Sequence, residues 1–295
     1  ATEAATKYFL IQTTAAAMIL FAGTMNAWLS GQWALPEPMH PAPATLLTLA
    51  VMLKMGLAPV HAWYPEVLQG STMTIALLIT TWQKLAPLSF LYVLLNTINP
   101  NTLMLIGLTS ALIGGWAGLN QTQTRKIMAF SSIAHMGWLI AALTINPNLA
   151  TLTMITYITM TTTIFLMLNL TTTKTLLDLS TLGTSTPVLQ ITTMLTMMSL
   201  GGLPPLTGFL PKWLIMKELI MMDKLLPSTA LLLASLPSLF FYVRMVYLTT
   251  LTMAPSTTNL GHKWRLKNLP TTLLPLMTML ALLALPLTPT LYITT

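Results

Sequence analysis

Residues 199–216 read SLGGLPPLTGFLPKWLIM, an apolar run interrupted by paired glycines and paired prolines. Each proline removes a backbone hydrogen bond from a continuous helix, so this segment predicts two half-helices joined by an unwound turn. At membrane depth such a turn is tolerated only where protein or a water-filled cavity surrounds it. Lys212 directly follows Pro211, which places a charged side chain beside the break.

A second segment repeats this pattern earlier in the chain. Leu57–Pro65, LAPVHAWYP, aligns with Leu203–Pro211, LPPLTGFLP, as L-x-P-(V/L)-x-x-(W/F)-(Y/L)-P, and Gly56 then lies over Gly202. Lys54 precedes this first break. Proline-interrupted apolar segments at corresponding places in two halves are typical of membrane transporters built from repeats. The two breaks are an odd number of spans apart, which predicts an inverted repeat.

The composition predicts an all-α polytopic membrane protein. Of the 295 residues, 54% are hydrophobic and only 6% are charged, against about 25% charged in soluble domains. Apolar runs of about 20 residues indicate about nine transmembrane helices. They are Ala4–Leu29, Ala44–Val60, Met73–Leu95, Thr102–Leu119, Ile127–Ile145, Leu149–Leu170, the broken Val188–Met222, Leu226–Leu251 and Pro270–Tyr292.

These spans group into a single membrane domain, 1–295. We expect residues 1–95 to hold the remainder of a first repeat, with its break near 56–65. Residues 102–251 would form the second repeat, with its break near 201–206. A C-terminal helix, 270–292, would follow.

The net charge of +7 is assigned to membrane topology. The basic residues are sparse and not interleaved with surface aromatics, so nucleic acid is not expected as a partner. Counting alternate loops puts most of them on one side, which is the matrix or cytoplasmic side by the positive-inside rule. They are Lys7, Arg125, Lys126, Lys174, Lys263, Arg265 and Lys267.

The residue inventory predicts that this chain holds no cofactor of its own. It contains no cysteine, and its four histidines lack metal-ligand spacing, which excludes thiolate metal sites and cysteine-ligated iron–sulfur clusters within the chain. Redox chemistry is therefore expected elsewhere.

Three lysines are the main functional candidates, because a lysine at the bilayer centre costs at least about 3 kcal/mol on insertion scales. Lys84 lies about midway along its span, too deep to reach the interface. Loss of water favours a neutral amine and a neighbouring carboxylate favours a charged one, so such a lysine can exchange protons. The alternative is a structural lysine paired with another subunit's carboxylate. For Lys54 and Lys212 the alternative is a snorkelling lysine at a helix end.

Two histidines are further candidates. His135 lies within an apolar span, and a neutral imidazole both donates and accepts, which suits a proton relay. The alternative is a packing residue with satisfied hydrogen bonds. His61 follows the first break, in a connection that also carries Glu66, which we interpret either as a functional acid or as a solvated loop carboxylate.

Four motifs carry a resemblance to a known family. MSLGGLPPLTGFLPKWLIMKEL (Met198–Leu219), QTQTRKIMAFSSIAHMGW (Gln121–Trp138), KMGLAPVHAWYPEVLQG (Lys54–Gly70) and TTWQKLAP (Thr80–Pro87) closely resemble the NADH-ubiquinone oxidoreductase chain 2 family. Its members are mitochondrially encoded antiporter-like subunits of respiratory complex I. The similarity extends in order over essentially the whole chain.

The resemblance implies two inverted five-helix repeats with a central axis of lysines. Lys54 and Lys212 are similar to the lysines of the two broken helices, Lys84 is similar to the connecting lysine, and His61 and His135 match positions near the axis. The family's glutamate partner for the first of these lysines lies on an earlier helix and is missing here. Ala1–Leu10 looks like the start of the family's third span, so we expect the first two spans to be absent from a partial sequence.

The resemblance also implies partners and location. We expect NADH, FMN, iron–sulfur clusters and ubiquinone to be bound by other subunits of the complex. Partners would be membrane-arm and accessory subunits of complex I and membrane lipids such as cardiolipin. The chain would lie in the mitochondrial inner membrane, with its basic loops in the matrix and its C-terminus in the intermembrane space.

Three functional hypotheses follow. The first is a proton-translocating membrane-arm subunit of NADH:ubiquinone reductase, in which a buried lysine and histidine axis moves protons. The second is a stand-alone cation/proton antiporter, which requires a carboxylate pair at the midplane. The third is a purely structural subunit of the membrane arm.

Overall fold

A computed structural model describes residues 2–33, 39–180, 187–251 and 273–287. Within these residues the chain is helical, apart from one isolated bridge between Gln123 and Thr175. The helices are α1 (Thr2–Ser30), α2 (Pro41–Met55), α3 (Trp63–Gly70), α4 (Met73–Thr80), α5 (Leu85–Val93), α6 (Pro100–Gly118), α7 (Thr124–Ile145), α8 (Pro147–Thr171), α9 (Leu176–Ser180), α10 (Pro187–Gly201), α11 (Phe209–Met221), α12 (Leu225–Leu251) and α13 (Leu273–Leu283).

The helices match the predicted membrane spans. Five stretches are long and apolar enough to cross a membrane by length and composition, namely Thr2–Ser30, Met73–Val93, Thr124–Ile145, Pro147–Thr171 and Leu225–Thr250. Shorter apolar helices cover Pro41–Met55, Val188–Gly201 and Leu273–Leu283. Each of the nine predicted spans contains helical residues, although His262, the basic cluster at 263–267 and the C-terminus lie outside the described residues.

The two predicted breaks adopt the same backbone turn. Gly56 ends α2 with φ +70°, and Gly202 follows α10 with φ +80°. Each glycine N–H bonds the carbonyl three residues back, and the next N–H bonds the carbonyl five residues before it, Leu57 to Met52 and Leu203 to Met198. This pattern is the Schellman motif, which requires a left-handed residue and therefore favours glycine.

The first break ends earlier than predicted, and the second break ends later. In the first copy α3 begins at Trp63, so residues 63–70, which we interpreted as a connection, form a helix. In the second copy α11 begins only at Phe209. Pro65 and Pro211 are the third residues of their helices, where a missing N–H costs little because the first turn has no helical acceptors.

The third predicted span is interrupted at Lys84. Helix α4 ends at Thr80, a 3₁₀ turn covers Trp82–Lys84, and α5 begins at Leu85. Pro87 explains the interruption, because its ring clashes with the carbonyl four residues earlier and it donates no hydrogen bond. Within the 3₁₀ turn the Lys84 N–H bonds the Thr81 carbonyl rather than that of Thr80.

Helix α7 forms the centre of the packing. It contacts α3, α4, α6, α8, α11 and α12, and 89% of its most apolar window is buried. Its apolar side chains join both core clusters, through Ile127 and Phe130 at one end and Leu139 and Leu143 at the other. This central position places His135, which is half-buried, between α7 and the helices packed against it.

Several basic residues lie together at one end of the bundle. Lys7 pairs with Glu66 at 2.8 Å, Arg125 donates to the backbone carbonyls of Gln69 and Ser71, and the Thr124 N–H bonds the Lys174 carbonyl. These contacts bring the segments that carry Lys7, Arg125 and Lys174 close together.

Candidate functional site

Lys84 is the one fully buried charged residue in the part of the chain that the structure describes, with 1% of its surface exposed. Its Nζ lies 4.9 Å from the centre of the Tyr64 ring and 5.2 Å from that of Tyr157. Aromatic faces at such distances stabilise an ammonium by cation–π attraction. None of the described carboxylates lies within ion-pair distance of this amine. The two rings therefore replace the anion that a buried lysine normally needs.

Tyr157 binds Lys84 directly. The lysine Nζ donates to the Tyr157 hydroxyl at 3.3 Å, and that hydroxyl donates to the Thr80 carbonyl at 3.1 Å. The Thr80 carbonyl can accept this bond because the Lys84 N–H bonds the Thr81 carbonyl instead. The interruption at Lys84 thus helps to hold Tyr157 against the lysine.

The first helix break supports the same site. A Cβ at Gly56 would meet the Tyr64 ring at 3.1 Å, so the turn and the ring are in close contact. The Lys84 amine lies over the same Tyr64 ring. The turn that ends α2 thereby positions one wall of the lysine site.

A small, partly open cavity lies next to Tyr157. Its volume is about 30 Å³, and its polar lining includes His135, Thr153, Thr156, Tyr157 and Lys212. One water needs about 10–15 Å³ and two to four polar partners. The cavity can therefore hold one or two waters between the tyrosine, the histidine and the second-break lysine.

His135 continues the polar contacts on the other side of the cavity. Its ring centre is 5.8 Å from that of Tyr157, and its Nε2 lies 3.4 Å from the Tyr242 hydroxyl. A neutral imidazole at this place can accept at one nitrogen and donate at the other. The arrangement is suited to passing a proton through the ring.

Lys212 closes the second helix break. Its Nζ donates to the Gly201 carbonyl at 3.0 Å and lies 5.9 Å from the centre of the Trp138 ring. A Cβ at Gly202 would approach this amine to 2.9 Å. The lysine therefore caps the C-terminus of α10, where a cation is favoured by the helix dipole, while it also lines the cavity.

Lys54 and His61 lie apart from this cluster. Lys54 is half-buried in the last turn of α2 and makes no hydrogen bond or ion pair with the residues that the structure describes. His61 is half-buried in the break, with Nδ1 3.2 Å from the Pro59 carbonyl. Of the five predicted site residues, the structure thus brings together Lys84, His135 and Lys212.

The described acids lie away from the buried site. Glu3, Glu66 and Asp223 are exposed, and Asp178 and Glu218 are only half-buried. Among the described residues no group of three His, Cys, Asp or Glu side chains could hold a metal ion. The chemistry available at the site is therefore proton transfer among amines, imidazole and hydroxyls.

Sequence reasoning missed three tyrosines of the site: Tyr64, Tyr157 and Tyr242. All three are almost fully buried. Tyr157 lies in a threonine-rich span, ITYITMTTT. The one feature of this stretch that could have indicated a site residue was its single tyrosine among the threonines. The many neighbouring threonines bond carbonyls of their own helix, as Thr153, Thr156 and Thr161 do.

Comparisons with known proteins agree on one family. Residues 1–238 match the family described as NADH:quinone oxidoreductase/Mrp antiporter, TM, and residues 239–292 match the NADH dehydrogenase subunit 2 C-terminus. The chain is 50% identical to NADH-ubiquinone oxidoreductase chain 2 of Squalus acanthias over 296 residues, which is 100% of this chain and 85% of that protein.

Solved structures share the fold. A chain of respiratory complex I from Thermus thermophilus with bound aureothin is 28% identical, with a TM-score of 0.81 over 98% of this chain and 69% of its own length. A chain of the Mrp complex from Dietzia sp. DQ12-45-1b is 15% identical, with a TM-score of 0.77 over 87% of this chain and 52% of its own, and shows a shared fold alone. The protein described here belongs to the NADH-ubiquinone oxidoreductase chain 2 family, within the antiporter-like membrane proteins.

Proposed function

We propose that this chain is a proton-translocating subunit of the membrane arm of respiratory complex I, the NADH:ubiquinone oxidoreductase. Its family and its relatives' names support this assignment. Electron transfer would take place in other subunits, which bind NADH, FMN, iron–sulfur clusters and ubiquinone. This chain would move protons in response.

The observation that carries the proposal is the connection from Lys84 to the cavity. The amine is buried, bonds Tyr157 and is separated by that residue from a cavity shared by His135 and Lys212. A lysine held in its charged form by an ion pair would need a carboxylate partner, and the described residues supply none within ion-pair distance. An amine held by rings and a hydroxyl can instead change its protonation when a nearby charge changes.

Lys54 and His61 would serve the first half of the path. Both are half-buried beside the first break, whose turn touches the Tyr64 ring next to Lys84. Arrival of a negative charge near Lys54 would load it with a proton, and its departure would release the proton toward the connecting lysine. We further propose that residues 1–95 and 102–251 form two inverted repeats around these two breaks.

The membrane orientation is part of the proposal. The end that carries Lys7, Arg125, Lys126 and Lys174 would face the matrix of the mitochondrial inner membrane, following the positive-inside rule. The same cations would attract anionic lipid headgroups such as those of cardiolipin. The C-terminus would lie in the intermembrane space, and the flanking partners would be other complex I subunits.

The decisive experiment replaces Lys84 by Met in the assembled enzyme. We expect proton-coupled quinone reduction to fall by about tenfold or more, the effect typical of losing a proton-transfer group, with the amount of assembled complex unchanged. Lys217→Met is the matched control, since that lysine is exposed on α11, and it should keep wild-type activity. Full activity of Lys84→Met would refute the proposal.

Two other functions make different predictions. A stand-alone antiporter would exchange sodium for protons when the purified chain is placed in liposomes, and we expect no exchange because none of the described carboxylates is buried. A purely structural subunit would leave the ratio of protons moved to NADH oxidised unchanged when Lys54, Lys84 and Lys212 all become Met. We expect that ratio to fall.

A further inference from the structure

Tyr157 occupies the place between the two halves of the polar path. Its hydroxyl is the hydrogen-bond acceptor of Lys84, and its side chain also lines the cavity that reaches His135 and Lys212. No other described residue both bonds Lys84 and lines that cavity. Among the described residues, Tyr157 is therefore the direct connection between Lys84 and the cavity at the second break.

We infer that Tyr157 is a proton-relay residue that connects Lys84 to the cavity by reorienting its hydroxyl, an inference that rests on the proposed function. In the structure the hydroxyl hydrogen points to the Thr80 carbonyl at 3.1 Å. That orientation interrupts the path, because the acceptor of the hydrogen, Thr80, does not line the cavity. Rotation about the C–O bond toward a cavity water completes it.

The transfer step is balanced and leaves the tyrosine neutral. The protonated Lys84 gives one N–H proton to the Tyr157 oxygen, and the Tyr157 O–H bond breaks as its own proton passes to a cavity water or through it to His135. Lys84 becomes a neutral amine and the acceptor gains one proton. The hydroxyl now carries the lysine's proton and rotates back toward the Thr80 carbonyl before the next transfer.

The 3₁₀ turn at Trp82–Lys84 makes this reorientation available. Because the 3₁₀ turn moves the Lys84 N–H to the Thr81 carbonyl, the Thr80 carbonyl accepts the tyrosine hydroxyl instead. A hydroxyl has one hydrogen and two acceptor positions. It can therefore keep accepting from Lys84 while its hydrogen alternates between the carbonyl and the cavity.

Tyr64 offers a matched comparison within the same site. Its ring lies at a similar distance from Lys84, but its buried hydroxyl interacts with Ser132 and is not the acceptor of the lysine amine. Tyr64 is also absent from the cavity lining. The two tyrosines thus hold the lysine in the same way through their rings and differ in their hydroxyls.

The test compares Tyr157→Phe, Tyr64→Phe and the exposed control Tyr92→Phe in the assembled complex. Each substitution keeps its ring and removes one oxygen. We expect Tyr157→Phe to slow proton-coupled quinone reduction by about tenfold or more, Tyr64→Phe to have a clearly smaller effect, and Tyr92→Phe to have none. In a Lys84→Met background Tyr157→Phe should cause no further loss, since two residues of one path are not additive.

The outcomes separate this inference from the proposed function. Wild-type turnover of Tyr157→Phe beside an impaired Lys84→Met would overturn the relay and leave the proposed function standing. Independent, multiplicative losses in the double variant would assign Tyr157 a packing role and also overturn it. Full activity of Lys84→Met would instead remove the proposed function itself.

A second variant covers failure of Tyr157→Phe to assemble. Incorporation of 3-fluorotyrosine at position 157 keeps the ring and the hydroxyl and increases the acidity of the hydroxyl. We expect the pH profile of turnover to move with this change, together with the solvent deuterium isotope effect. An unchanged profile and isotope effect in an assembled enzyme would contradict the relay.

Discussion

The two helix breaks have the same backbone conformation and differ in the charged residue that follows each of them. Both turns use a glycine at positive φ, the same pair of backbone hydrogen bonds and a proline at the third position of the following helix. In the fourth position of that helix the first copy has Glu66 and the second has Lys212. The same turn therefore presents opposite charges.

The surroundings of these two residues explain the difference. Glu66 is exposed and pairs with Lys7 at 2.8 Å, whereas Lys212 folds back over its own break to the Gly201 carbonyl and lines the partly open cavity. The glycine and proline pattern thus determines where a helix breaks. The neighbouring helices determine whether the break carries a surface ion pair or part of a buried polar site.

The largest effect should come from removing the charge at the second break. Lys212→Met takes away both the cap on α10 and a cavity wall, and we expect proton-coupled quinone reduction to fall by about tenfold or more. Glu66→Gln changes the equivalent position of the first break and should stay within about twofold, as expected of an exposed group. Equal losses for both variants would show that the breaks are functionally alike.

The control for this prediction lies on the same helix. Lys217→Met alters an exposed lysine of α11 and should match the wild type in both assembly and turnover. A loss there would mean that any lysine on α11 matters, and the comparison of the two breaks would lose its meaning.

An intermediate effect should come from the turns themselves. An alanine at Gly56 or Gly202 would hold a left-handed conformation that costs about 1–2 kcal/mol. At Gly56 the new Cβ also meets the Tyr64 ring at 3.1 Å, whereas at Gly202 it meets the flexible end of Lys212. We therefore expect Gly56→Ala to lower the thermal midpoint of the assembled complex more than Gly202→Ala does.

In turnover the order of the two variants should be reversed, with Gly202→Ala more impaired than Gly56→Ala. Gly202→Ala displaces the Lys212 amine, so among complexes that assemble it should reduce turnover more than its stability loss explains. Gly23→Ala is the control, because a Cβ there has nothing within 4 Å and α1 is continuous through it. Equal stability losses for Gly56→Ala and Gly202→Ala would mean that the backbone alone decides the cost.

The smallest effect should come from the ion pair at the first break. Lys7→Met removes the partner of Glu66, and an exposed pair contributes little and is screened by salt. We expect a slight decrease in the thermal midpoint at low ionic strength that disappears at high salt, with turnover unchanged. A decrease that persists in high salt would indicate a buried role for this pair.

Some of this arrangement could be predicted from residue spacing. The motif around Gly202 and its copy around Gly56 predicted both helix breaks, and the apolar runs predicted the spans. Trp63–Gly70 was not recognised as a helix, since eight residues with an internal proline resemble a connection. The interruption at Lys84 was also missed, although Pro87 gives its cause.

The grouping of site residues was less predictable. Lys54 and Lys212 were predicted to be equivalent lysines beside the two breaks, with Lys84 between them, yet the structure joins only Lys84 and Lys212 around one polar region. Their link, Tyr157, is 73 residues from Lys84 and carries no motif. Its role depends on a rotamer and on helix packing, and neither has a signature in local sequence.

The sequence by itself determined a polytopic helical membrane protein with two glycine and proline breaks and three lysines in or beside its apolar spans. These properties follow from local causes, since a proline cannot donate a hydrogen bond and an apolar run avoids water wherever it lies. Only the tertiary structure decided which lysine is enclosed, what holds it and which side chain connects it to the cavity. Contacts between separate helices depend on how all of them pack, and no spacing along one helix contains that information.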